Sequence, residues 1–214
     1  IATYTGNGGV AQSIGHGLSA APEFILVKNR SQADDWAVYH VGTGNAAHLI
    51  LNSYASQVTS SAYWGSFTPT TTLFKVGSDH KLNASSENYV AYLWHGVEGS
   101  SRFSTYTGNG NSDGTFVYTG FRPRMIFTKR YDGGSENWGV FDTARAFYNP
   151  TSAHSDGQLV WDTNGLATAG STHGVDFLSN GFKLRGTGGL NNQSGGEYIY
   201  GAWGDVPFKY NNTF

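Results

Sequence analysis

The sequence predicts an all-β fold, arranged as two tandem antiparallel β-sandwich repeats of jelly-roll or lectin-like type. Three observations carry that expectation. The composition is rich in Gly (30 of 214 residues) and aromatics (15%) but poor in charge (13%), which suits short strands and tight turns better than solvated helices. No stretch keeps a capped apolar 3.6-residue period for more than a turn or two. Third, ATYTGNG at 2–8 returns as STYTGNG at 104–110.

The repetition continues in one order along the chain. PEFILVK at 22–28 matches PRMIFTK at 123–129, and DWAVY at 35–39 matches NWGVF at 137–141. LIL at 49–51 then finds LVW at 159–161, FKV at 74–76 finds FKL at 182–184, and Asn83 is matched with Asn191. NYVAYLW at 88–94 closes the first copy as EYIYGAW at 197–203 closes the second. A period of about a hundred residues fits a small domain and is too long for a solenoid or propeller blade. The boundaries are 1–99 for the first repeat and 103–214 for the second with its tail, with the seam near 97–103. The copies are expected either to share a continuous interface or to merge into one sandwich.

Within each copy, the apolar runs after Pro22 and Pro123 read as buried strands. The segments 36–40 and 138–142, and 89–94 and 198–203, alternate in the manner of half-buried strands. Turn-rich segments such as GTGN at 42–45, GGS at 133–135 and SNG at 179–181 separate them. YTGNG has neither the G-K-[ST] ending of a phosphate loop nor a helical pattern after it, so Gly6, Asn7 and Gly8 form a turn.

Several functions lack support at this level. The net charge is −2 with scattered Lys and Arg, which argues against a nucleic-acid partner. No apolar run has membrane-spanning length, so no membrane insertion is expected. There is no cysteine, and the seven histidines form no metal-ligand spacing, so neither metal nor cofactor is expected and the histidines belong to surfaces or turns. No carboxylate pair or nucleophile motif stands out, which makes the expectation non-enzymatic. Position 1 is Ile rather than an initiator Met, as in a processed chain or a fragment.

Aromatics divide into two groups. Trp36 with Trp138, and Trp94 with Trp203, recur at equivalent places and are assigned to the core. Trp64 and Trp161 do not match each other and, with Tyr63, Tyr131 and Tyr148, stand among polar turn-forming residues. A ring beside short polar side chains suits sugar recognition, because it covers the apolar face of a pyranose while its neighbours bond the hydroxyls. The candidate ligand-binding set is therefore Tyr63, Trp64, Tyr131, Asp132, Tyr148, Trp161, Asp162 and Asn164. Scaffold positions agree between the copies while loops diverge, which places function in the divergent loops.

The ordered phrases YTGNG, Pro-x-FILVKNR, DW, GFKL and EYIYGAW, with PFKYNN at 207–212, resemble a repeated domain of phage tail-fibre and related virion proteins. That resemblance implies a β-rich, non-enzymatic component of the virion tail, acting extracellularly as an adhesin. Its partners would be a host-surface glycan or protein receptor and other virion tail proteins, with a homotrimer in the full-length fibre. The alternatives are a purely structural virion protein and a glycan depolymerase with a carboxylate pair.

Overall fold

Glycines and short polar residues cut the apolar runs of this chain into strands of two to eight residues, and every strand pairs antiparallel. The computed structural model describes residues 1–145, 158–163 and 172–204. The fold is all-β, with antiparallel sheets packed as sandwiches.

One large sheet has the order β1 (Ala2–Thr5), β8 (Asn88–Trp94), β3 (Phe24–Asn29), β4 (Ala37–His40), β5 (Ala47–Ile50) and β6 (Val58–Thr59). The other has β9 (Ser101–Thr107), β16 (Glu197–Gly204), β11 (Pro123–Arg130), β12 (Gly139–Asp142) and β13 (Leu159–Val160). Strand for strand this is the same order, with β6 added to the first. Each large sheet carries a small one: β2 (Gln12–Gly15) with β7 (Leu73–Val76), and β10 (Phe116–Tyr118) with β15 (Gly181–Leu184) and β14 (Val175–Leu178). Two one-turn helices, α1 (Ser61–Trp64) and α2 (His80–Asn83), complete the first half.

The strand period of two explains how these sheets stack, because successive side chains leave a strand on opposite faces. In β3, Ile25 and Val27 point to a core shared with Phe74 and Val76 of the small sheet, while Phe24 and Leu26 point the other way. In β11, Ile126 meets Phe182 of the second small sheet, and Phe127 turns to the opposite face. Phe24, Leu26, Val38 and Leu49 of one half and Phe103, Phe127, Trp138, Val140 and Ile199 of the other form a single cluster. The molecule is thus four layers of sheet, small, large, large, small, and its central core belongs to both halves. The recurrent tryptophans lie at that centre: Trp138 is fully buried, and Trp36, Trp94 and Trp203 pack against it half-buried.

Polar contacts also tie the halves together. His40 is fully buried, its Nδ1 accepting from the Gly42 amide and its Nε2 bonding the Tyr200 carbonyl at 3.1 Å. Burial holds the His40 ring in its neutral form, with a pKa lowered to about 4. Lys129 is buried as well, donating to the carbonyls of Tyr54 and Glu136 beneath the Trp138 ring, and burial lowers its pKa to about 8. Trp138 donates through Nε1 to the Ile50 carbonyl at 3.0 Å. Buried His40 and His48 correct the expectation that the histidines sit at surfaces or turns.

The repeated YTGNG phrase has the same local structure in both halves. Tyr4 stacks on Tyr89 at 5.1 Å, and Tyr106 stacks on Tyr198 at 5.0 Å. Beyond them, Asn83 is wholly buried and offers its side-chain amide to Asn7 Oδ1 and to the carbonyls of Gly9 and Gly77, while its Oδ1 accepts the Asn7 amide. Asn192 makes the same four bonds, to Asn109 Oδ1, the Asn111 and Gly186 carbonyls, and the Asn109 amide. The partner of Asn83 is therefore Asn192, one residue beyond the Asn191 matched from sequence. The phrase needs its glycines: a Cβ on Gly6 would stand 2.1 Å from the Ala84 carbonyl oxygen, and Gly8 has φ +69°.

Candidate functional site

The predicted ligand residues scatter. Tyr63 and Trp64 are 5% and 1% exposed, carried by α1 into the core between the first large and small sheets. Ser60 caps α1 by accepting from the Ala62 amide, Gly65 ends it in the left-handed region, and this single turn drives both rings inward. They fill core space and offer no surface to a ligand, which corrects the expectation that they are exposed. Their polar neighbours in the sequence are cap residues, which look the same as loop residues until the turn forms.

Trp161 and Tyr131 are half-buried against the central core, Trp161 with its ring 5.3 Å from Phe127. Asp162 accepts the Trp138 amide at 3.2 Å, and burial pushes its carboxyl pKa up. Trp161, Asp162 and Tyr131 thus gather around Trp138 and Lys129 as packing and capping groups. Asp132 is paired with Arg130 at 2.7 Å. Burial acts to raise the Asp132 carboxyl, but its hydrogen bond from Arg130 and those to backbone amides outweigh it and hold the pKa low. Tyr148 and Asn164 lie outside the described residues.

A different set of groups converges at the seam. After β8 the chain makes a tight turn in which Val97 and Ser101 bond each other as an isolated bridge, with Gly99 at φ +73°. The turn hands the chain from one large sheet to the other and leaves a cleft of about 440 Å³ beside it. The start of β9 lines the cleft with Arg102 and Ser104, the end of β10 with Tyr118 and Thr119, and the first half with Glu23 and Glu98. Glu23 is fixed by accepting the Gly96 amide at 2.7 Å.

Tyr118 is 56% exposed at the mouth of this cleft, and the Arg102 guanidinium lies over its ring at 5.8 Å. Below, the buried Tyr200 hydroxyl is pushed up in pKa by desolvation, while the adjacent Arg102 charge and hydrogen bonds from Arg102 and Ser104 act against the rise. The exposed Arg102 side chain thus lies near both Tyr118 and Tyr200. An exposed ring, a positioned guanidinium, hydroxyls and a carboxylate are the groups that bind a polyhydroxylated ligand: C–H faces cover the ring, and the polar groups bond the hydroxyls.

Sequence reasoning passed over this cleft because Arg102 fell in the seam and Glu23 inside a strand. The legible signal was FVY at 116–118, whose alternation puts two rings on one face and Val117 on the other. Register makes the contrast between the halves explicit. Val117 faces Phe182 as Ile14 faces Phe74, so Phe116 and Tyr118 occupy the positions of Ser13 and Gly15.

Among the described residues, no group of three or more His, Asp or Glu stands where it could hold a metal ion. Nor is any helix there long and apolar enough to cross a membrane. Comparison with curated proteins and with solved structures finds no match. A family model does match, over residues 1–207. On that match, the chain belongs to the family described as Domain of unknown function (DUF7483).

Proposed function

We propose that the chain is a binding module of a phage tail fibre or related virion protein, acting at the virion tail outside the host cell. In this reading it attaches to a host-surface glycan through the seam cleft, and other tail proteins hold it in place. The observation that carries the reading is exposed Tyr118 with Arg102 over its ring, at the mouth of a cleft lined by Glu23 and Ser104. The ordered phrases shared with tail-fibre domains support the setting.

An array of host-surface polysaccharides tests it. Binding is expected, and both Arg102→Ala and Tyr118→Gly should weaken it at least tenfold, a loss of about 1.4 kcal/mol. Absence of any glycan binding, together with binding to purified tail proteins, would replace this reading with the purely structural one.

One observation favours a second reading, a glycan depolymerase: two carboxylates, Glu23 and Glu98, line the same cleft, as acid and base would need to. Release of reducing ends from a bound polysaccharide, abolished by Glu98→Gln and Glu23→Gln, would establish it. Binding without such release supports the adhesin.

A further inference from the structure

The outer face of the β10–β15–β14 sheet continues from the cleft and carries a second exposed ring. Phe116 is 43% exposed, two residues from Tyr118 along β10 and on the same face. In an extended strand that spacing is about 7 Å, short enough for one linear molecule to cover both rings. On β15, Gly181 stands directly opposite Tyr118. A Cβ on Gly181 would stand 3.0 Å from the Phe116 ring and 2.2 Å from the Val117 carbonyl oxygen, so the bare glycine lets the ring lie down over the sheet. In the first half the corresponding residue is Leu73, with Ser13 and Gly15 in place of the rings.

Charge on this face is balanced. Lys183, opposite Phe116, pairs with Asp113 at 2.6 Å, and Arg185 pairs with Asp176 at 2.5 Å. The charged residues that line the cleft itself, Glu23, Glu98 and Arg102, carry more negative than positive charge. That balance disfavours a polyanion, while an uncharged chain of hydroxyls would find rings and polar groups to bond.

The geometry points to two consecutive subsites for a linear, uncharged saccharide, the first at Tyr118 in the cleft and the second at Phe116 on the sheet. This rests on the glycan-binding reading above and specifies its ligand class and length. Phe116→Ser and Tyr118→Gly install the residues that the first half carries at these positions.

The test is calorimetric titration with linear uncharged oligosaccharides of one to six units, in glucose, galactose and N-acetylglucosamine series. Hyaluronan and polysialic acid fragments serve as anionic controls. For the native chain, affinity should rise roughly tenfold between the single sugar and the short oligomer, the increment of one stacked ring. Phe116→Ser should remove that rise and leave single-sugar affinity unchanged, while Tyr118→Gly should weaken every length. A length dependence that survives Phe116→Ser, or preferential binding of the anionic fragments, overturns the two-subsite inference and leaves the glycan-binding reading standing. No binding on this panel or on the polysaccharide array overturns both.

Discussion

Replacing Asn83 by alanine would leave the Asn7 amide and the Gly9 and Gly77 carbonyls without their buried partner. The expected cost is about 3 kcal/mol, read from urea unfolding, and Asn192→Ala should cost about as much. Asp at position 83 should be worse than Ala, because a carboxylate would face three oxygen acceptors that now receive an amide. At this scale the sequence was partly legible. YTGNG announced a turn used twice, but the asparagine that closes it stands more than seventy residues away and carries no local signature. Its second copy was misplaced by one position because Asn191 and Asn192 are adjacent. Only the hydrogen bonds distinguish them.

Among the elements, strands were more legible than the single helical turns. β3, β11, β8 and β16 follow from apolar runs and alternation, since long-range pairing agrees there with local pattern. α1 was not legible: four residues are too few to show a helical period, so Tyr63 and Trp64 looked like loop aromatics. The consequence can be measured. Trp64→Ala should destabilise the protein by about 3–5 kcal/mol, as for a large buried ring, and leave the affinity of the folded fraction for glycan unchanged. Tyr118→Gly should do the reverse, shifting thermal unfolding little while removing binding. A Trp64 variant that stays stable yet loses ligand would return α1 to the list of sites. The working strand β10 escaped notice for a related reason: three residues of FVY suffice for a strand but match nothing in the first copy.

Across the whole molecule, the shared core makes stability depend on acidity. His40 has a folded-state pKa of about 4, below its ordinary value of 6.5, as has His48, and burial lowers His173 too. Between those values the unfolded chain binds protons that the folded chain refuses. Stability is therefore full above pH 6.5 and falls as the pH drops toward 4, by about 1.4 kcal/mol per unit each for His40 and His48. Unfolding followed from pH 7.5 to 4.5 should show this slope, and His40→Gln should reduce it by one histidine's share. An unchanged slope would place the acid sensitivity elsewhere.

The pairing of each half's first strand with its last has a kinetic meaning. β1 cannot find β8 until nearly the whole first half has been made, and β9 must likewise wait for β16. Neither half can complete its large sheet from neighbouring residues alone, so refolding should be slow, on the scale of milliseconds to seconds or longer. During synthesis the first half, even once closed, would emerge with Phe24, Leu26, Val38 and Leu49 uncovered. It would carry that adhesive face until the second half arrived, the interval in which a nascent chain most needs protection from its neighbours.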